Sequence, residues 1–434
     1  MRRVVITGLG ILSPIGNTVE EFRDSLKAGK HGFTLESWFP GQTEETNVVA
    51  KVKNFDVSQY IDKKELRRTD PVTQYAVYTS KKALEDAGTD FSDIDPYKRG
   101  VIIASGIGGI QTTEEQILNY HNKGNGRVSV FTIPMMIGNM APGEVAIKTG
   151  FKGVNYTIVS ACASSTHAIG EAFRMIKHGY LDCAIAGGTE ACSIGFAMAG
   201  FNNMHAVTRS TDPDRASIPF DKERSGFVLG EGSGIVILEE YEHAKARGAK
   251  IYAEVAGYGA TCDAYHETSP SPDGEAGAKA MELAVSEAMV PFDRINYCNA
   301  HGTSTKMNDA TETAALKKTF GDHAYKIAVN STKSMTGHLL GAAGGLEAVA
   351  VALQMKEGFV HPTVGLTVDD EECDLDNCKG GTREMKITGA ISNSLGFGGH
   401  NAAVCIRQIA AHIAFPLANG RLLPRQIERK ILMI

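Results

Sequence analysis

An α/β fold built from two similar halves is what this sequence predicts, and three observations predict it. Short apolar runs rich in β-branched residues alternate with helical patterns along most of the chain. Several of these runs are continuously apolar, as suits strands covered on both faces. The order strand, Ser-containing turn, small-residue helix at residues 154 to 176 also recurs at 326 to 355.

The first strand is "RRVVIT". Two arginines before an apolar run are how a secretion signal begins, but this run is short, broken by Gly8 and Gly10, and lacks a small-residue cleavage site. It reads as a buried strand. "GVIIAS", "NYTIVS", "DCAIAGG" and "GIVILEE" complete the strands of a first half, residues 1–250. "IYAEVAGY", "NYCNA", "KIAVNS", "KITGAIS" and "NAAVCI" supply those of a second, 251–407. Among the helices, residues 71–87 carry the clearest punctuation: Asp70 as N-cap, Pro71 at the first helical position, Gly88 just past the end. The stretch 408–434 has two prolines, mixed charge and no clean period, and is read as a tail outside the α/β rhythm.

The 434 residues are 43% hydrophobic, enough for a large core. Their 44 basic and 50 acidic side chains give a net charge of −6, which offers no electrostatic ground for general nucleic-acid or anionic-membrane binding. No run reaches ~18 apolar residues, so no membrane span is expected. Eight cysteines without a C-x-x-C pair do not make a disulfide framework, and a reducing, cytoplasmic setting is expected. Cys183, Cys192, Cys262, Cys298 and Cys405 read as small buried hydrophobes.

Cys162 differs. In "YTIVSACASSTHAIGEA" it follows a strand and precedes a small-residue helix, where backbone N–H groups can lower a thiol pKa toward neutrality. The turn alone is compatible with a nucleophile or with a packed thiol. A second cluster, "NAHGTSTKMNDATE", puts His301 at a strand end, where α/β proteins build clefts. A third, "NSTKSMTGHLLGAAGGLE", holds Lys333, His338 and Glu347; His338 opens a close-packing helix whose N-terminus disfavours imidazolium. In the fourth, "NSLGFGGHN", glycines flank Phe397, so the backbone can turn sharply and offer N–H groups. A thiol, two histidines, a lysine and an anion-ready turn are the equipment of acyl-thioester chemistry. There is no Walker A sequence, "TGLGILS" lacks the third glycine of a dinucleotide fingerprint, and no cluster has metal-ligand spacing.

Taken in order, "SACASS", "HGTST", "NSTKSMTGH" and "GFGGHN" closely resemble the β-ketoacyl-acyl carrier protein synthases, from residue 2 to about residue 407. The resemblance implies a thiolase-like five-layer α/β/α/β/α fold of two pseudo-twofold-related halves, and a homodimer. It implies an elongating, type II acyltransferase of fatty-acid synthesis that condenses malonyl-acyl carrier protein with an acyl chain held on Cys162. The N–H groups of Cys162 and Phe397 would form the oxyanion hole, and His301 and His338 would bind the malonyl thioester carbonyl. Lys333 and Glu347 would support the site, and Phe397 would gate the two half-reactions. Thr303 and Thr305 would line the pantetheine tunnel, and Ile107 and Phe201 would bound the acyl pocket. Lys64, Arg67 and Arg68 in "KKELRR" would dock the acidic acyl carrier protein. No cofactor or metal is implied, since substrates ride on the carrier's phosphopantetheine arm. The Cys-His-His set separates this reading from thiolases and from the synthase III type. A polyketide ketosynthase shares every catalytic residue, and a non-catalytic, chain-length-factor-like subunit would lack the nucleophile. Two positions depart from the family pattern: Lys306 stands where proline is common, and His205 where a docking arginine is frequent.

Overall fold

The computed structural model describes residues 1–38 and 46–409; the expected tail lies almost wholly outside them. Ten strands are hydrogen-bonded into one sheet: β1 (Val4–Leu12), β2 (Arg99–Ala104), β3 (Asn155–Tyr156), β4 (Cys183–Glu190), β5 (Gly232–Glu240), β6 (Ala253–Cys262), β7 (Tyr297–Asn299), β8 (Ala328–Asn330), β9 (Gly389–Gly396) and β10 (His400–Arg407). Their order across the sheet is β8-β7-β9-β10-β6-β1-β5-β4-β2-β3. Read outward from the middle, the first half runs β1-β5-β4-β2-β3 and the second β6-β10-β9-β7-β8. Each strand of the second half therefore takes the place of one of the first. The pairing senses repeat as well: antiparallel, antiparallel, parallel, parallel, from the middle to either edge.

The two halves meet at an antiparallel seam, Val4 to Ile6 against Val255 to Ala253. There the buried Glu254 carboxylate accepts from Arg3 (2.7 Å) and Arg407 (2.8 Å), each a charge-assisted contact.

Six helices complete the repeat: α1 (Pro71–Ala87), α2 (Met140–Thr149), α3 (Ser164–Lys177), α4 (Glu275–Ala288), α5 (Lys306–Phe320) and α6 (Ala343–Glu357). The helices α3 and α6 pack on each other and on strands of both halves. Every residue of α6 from Ala343 to Met355 is buried, as a helix covered on all sides must be. Outside the first half lie α1 and α2, and outside the second α4 and α5, each pair over its own apolar cluster. The result is the five-layer α/β/α/β/α arrangement that the resemblance implied.

Helix α1 has the expected ends: the Asp70 side chain accepts from Val72 N, Pro71 opens the helix, and Gly88 closes it in the left-handed region at φ 68°. The glycines of "TGLG" have a packing role. A Cβ on Gly8 or Gly10 would collide with the carbonyl oxygens of Ala83 or Thr79 on α1; one on Gly257 or Gly259 would meet those of Ala284 or Ala280 on α4. Both halves thus use a Gly-x-Gly pair to bring a helix against its strand.

Two expectations need correction. The strand in "NYTIVS" ends at Tyr156, because β3 is the sheet edge and its chain leaves after two ladder residues, with Val159 exposed. Cys262 is exposed, since the last residues of β6 project beyond the layers; all eight cysteines are free. Among the described residues no helix is long and apolar enough to cross a membrane.

Candidate active site

Strand ends from both halves converge on one cavity of about 470 Å³. Cys162, His301, His338, Thr303, Thr305, Ile107, Phe201 and Phe397 all line it. Lys333 and Glu347 lie buried behind His301, whereas Lys64, Arg67 and Arg68 are exposed and do not line the cavity. Arg68 stacks on Phe131 at 4.8 Å.

Cys162 is held on a strained turn. Ala161 has φ 49°, a left-handed conformation that costs a side-chain-bearing residue of order 1–3 kcal/mol, and α3 starts two residues beyond the sulfur. The N–H groups of Phe397 and Cys162 itself face the sulfur. Gly396 permits that approach, because a Cβ there would lie 2.9 Å from Ser160 O and 3.1 Å from Cys162 N.

The sulfur and one ring nitrogen from each of His301 and His338 lie within 4.8 Å of one another. The two rings meet edge to face, with centroids 5.2 Å apart. Behind His301, Lys333 Nζ stands 3.4 Å from Nδ1 and is paired with the Glu347 carboxylate. Lysine can only donate, so His301 Nδ1 must accept and Nε2 carries the proton. His338 Nδ1 accepts from Leu340 N at 3.3 Å, which assigns its proton to Nε2 too. Each neutral ring therefore has one N–H left for a ligand. Thiol and imidazoles also form a metal-ligand constellation in space, although no stretch of sequence has metal-ligand spacing; the adjacent Lys333 ammonium opposes a cation there.

Burial dominates the electrostatics. It holds His301 well below the ordinary imidazole value, with the charge of Lys333 and then His338 acting the same way. It does the same to His338, again helped by Lys333. It pushes the Cys162 thiol up to about 12, against the opposing pull of Lys333 and of the N–H groups. This corrects the expectation of a thiol lowered toward neutrality. The turn does offer N–H groups, but loss of water around the sulfur outweighs them.

Thr303 and Thr305 share a hydrogen bond of 2.9 Å between their hydroxyls. The two departures from the family pattern both line the cavity: Lys306 donates to the Lys222 carbonyl, and His205 lies 3.5 Å from Arg209, so a guanidinium stands beside it. Phe397 is half-buried, and Gly398 and Gly399 after it have φ 84° and 74°.

Several further residues shape the site without a clear signal in the sequence. Glu312 accepts from the N–H groups of His301 and Gly302, both at 2.8 Å, and so anchors the histidine turn to α5. Its signal lies in the "NAHGTSTKMNDATE" stretch, a carboxylate eleven residues past His301, but an acidic helix residue ordinarily reads as solvated. Phe227 packs edge-on to His338 at 5.3 Å. Glu190, at the end of a strand otherwise without charge, is also buried beside the cavity.

The chain is similar to known proteins along both halves. The family model "Beta-ketoacyl synthase, N-terminal domain" matches residues 1–244, and "Beta-ketoacyl synthase, C-terminal domain" matches 252–367. The chain is 47% identical over 408 residues to a 3-oxoacyl-[acyl-carrier-protein] synthase 2 of Synechocystis, covering 94% of this chain and 98% of that one. It is 46% identical over 410 residues to a Staphylococcus aureus protein of the same name, covering 94% and 99%. Among solved structures it is similar to a type II PKS acyl-carrier protein in complex with its ketosynthase bound to the hexaketide, at TM-score 0.87 and 34% identity over 94% of this chain and all of that one. It is also similar to a beta-ketoacyl synthase from Burkholderia phymatum, at TM-score 0.85 and 35% identity over 94% and 100%. A strained cysteine turn, two neutral imidazoles on one cavity and matches over both halves lead to one assignment: the chain belongs to the β-ketoacyl synthase family.

Proposed function

We propose that the protein elongates fatty acyl chains by decarboxylating Claisen condensation, with Cys162 as nucleophile. The observation that carries this reading is the approach of the Cys162 sulfur and two N–H-bearing imidazoles to within 4.8 Å. In the first half-reaction the Cys162 sulfur attacks an acyl-carrier thioester; the new C–S bond replaces the carrier's, and the thiol proton leaves on the carrier thiol. The oxyanion of the tetrahedral intermediate accepts from the N–H groups of Cys162 and Phe397. In the second, malonyl-acyl carrier protein places its thioester carbonyl against Nε2–H of His301 and His338. Carbon dioxide departs, and its bonding pair becomes an enolate held by the two donors. The enolate carbon attacks the acyl-Cys162 carbonyl, and the sulfur leaves and takes up a proton.

Neutral imidazoles suit this step: they donate without offering a proton acidic enough to quench the enolate carbon. Lys333, paired with Glu347, holds His301 in the donor tautomer. Phe397, between glycines, gates the half-reactions; Thr303 and Thr305 line the pantetheine path, and Ile107 and Phe201 bound the acyl pocket. The condensation as written needs neither metal nor cofactor. In this reading residues 1–250 supply the nucleophile and 251–407 the histidines.

The partner we propose is acyl carrier protein, docked on exposed Lys64, Arg67 and Arg68. A homodimer is supported by the free edge at β3 and by exposed Ile117, Leu118, Val130, Ile133, Ile147 and Val159 in the surrounding stretch of chain. Eight free cysteines fit the cytoplasm. The fatty-acid reading rests on the higher identity to the 3-oxoacyl-[acyl-carrier-protein] synthases, 47% against 34% for the polyketide ketosynthase.

Mass spectrometry of the enzyme offered a mixed pool of acyl-carrier thioesters tests the proposal. An acyl adduct on Cys162, absent in Cys162→Ala, is expected; condensation that survives Cys162→Ala refutes it.

A further inference from the structure

Glu190 closes strand β4, and its carboxylate is fully buried with no lysine or arginine among its partners in the described residues. Its four hydrogen bonds come from two separate segments. From the turn after β2, Ser105 donates its hydroxyl at 2.9 Å, Gly106 its N–H at 2.7 Å and Ile107 its N–H at 3.2 Å. From the segment after His338, Gly341 donates its N–H at 2.9 Å. The Oε1 atom holds Ser105 and Ile107; Oε2 holds Gly106 and Gly341 together.

These are the segments on which the two half-reactions of our proposed function depend. Ile107 and Gly106 line the cavity. Gly341 follows Leu340, whose φ of 46° is a strained left-handed conformation, and Leu340 N is the donor that fixes the His338 tautomer. The two backbones touch, since a Cβ on Gly341 would collide with Gly106 N. A carboxylate buried without a cation is costly, and an apolar residue in its place would orphan four donors.

We infer that Glu190 is a positioning residue that locks the acyl-pocket wall at Ile107 to the turn presenting His338, so that one carboxylate sets both chain-length selection and malonyl decarboxylation. The inference rests on the condensing-enzyme reading. An amide cannot reproduce the arrangement. Wherever its NH2 is placed, at least one backbone N–H faces a donor, and either the Ile107 contact or the Gly106–Gly341 link is lost.

The test uses the full-length enzyme as Glu190→Gln and, separately, Ser105→Ala, which removes one donor to Glu190 and the acceptor of the Gly108 N–H, both on the pocket side. Two readouts are taken: the chain-length distribution of acyl adducts on Cys162 from a mixed thioester pool, and kcat and KM for decarboxylation of malonyl-acyl carrier protein. For Glu190→Gln we expect the distribution to shift toward longer chains by about tenfold in the long-to-short ratio, and decarboxylation kcat to fall about tenfold with KM little changed. Ser105→Ala is expected to shift the distribution in the same direction. A purely structural role would lower the active fraction and leave the distribution unmoved. Wild-type chain-length distribution in both variants overturns the inference, and if Glu190→Gln does not fold, Ser105→Ala alone decides it in the same way. Absence of any adduct on the wild-type enzyme instead overturns the underlying functional reading, so the two failures are distinguishable.

Discussion

Replacing Lys333 by Met keeps the length of the side chain and removes its charge, which separates two jobs the lysine does at once. The first is to neutralise Glu347: both side chains are about 2% exposed, and among the described residues the ammonium is the carboxylate's only partner, Oε2 having none there. Removing one member of such a pair costs about 3–5 kcal/mol. The second is to donate to His301 Nδ1 across 3.4 Å. A hydrogen bond from a charged donor contributes about 1.5–3 kcal/mol, so its loss in the transition state slows decarboxylation by roughly 10- to 150-fold. Lys333→Met, Glu347→Gln and the double variant form a thermodynamic cycle, read by urea unfolding and by carbon dioxide release from malonyl-acyl carrier protein. The single variants should each lose stability, and the double variant should lose far less than their sum. Its decarboxylation, by contrast, should stay as slow as in Lys333→Met. Additive stability losses would refute the buried pair, and recovery of decarboxylation in the double variant would refute the tautomer role of Lys333.

Other outcomes follow from the same geometry. With the Cys162 thiol pushed up to about 12, inactivation by iodoacetamide should accelerate about tenfold per pH unit between about pH 7 and 9 without levelling; a plateau near neutrality would contradict the burial argument. Because burial holds both histidines below the ordinary imidazole range, they bind a proton only at lower pH, so decarboxylation should stay flat as pH falls through about 6.5. A half-maximal rate at that pH would mean that one ring titrates as if solvated. Lys64→Glu, Arg67→Glu and Arg68→Glu together should raise KM for acyl carrier protein at least tenfold, an effect weakened by salt, and leave a small thioester mimic unaffected. Val159→Asp should shift the protein from dimer to monomer in light scattering at micromolar concentration, and an unchanged mass would remove the β3 edge from the interface.

The strands and the two-half plan were legible because they are local. Continuous apolar runs mark buried strands, and Asp70, Pro71 and Gly88 mark the ends of α1 through backbone chemistry that needs no tertiary context. The short motifs around Cys162, His301, His338 and Phe397 were visible for the same reason, each being contiguous along the chain. What escaped depends on the fold as a whole. The direction of the Cys162 shift follows from burial by residues far away in sequence, which no reading of its own turn contains. Glu312 and Glu190 have the composition of surface carboxylates, and only the backbone donors that gather around them reveal an inward role. The exposure of Cys262 and the early end of β3 follow from where each element happens to run out.

The repeated strand order also implies a division of labour between duplicates. Equivalent positions carry unlike side chains: the turn after β2 lines the cavity with Ile107 while its twin after β7 bears His301, and the loop before α3 holds sulfur where the one before α6 holds His338. The end of β4 supplies a carboxylate, and the end of β9 supplies Phe397 and its N–H. Neither copy carries the whole Cys162, His301 and His338 set, so the cavity exists only where the two copies meet.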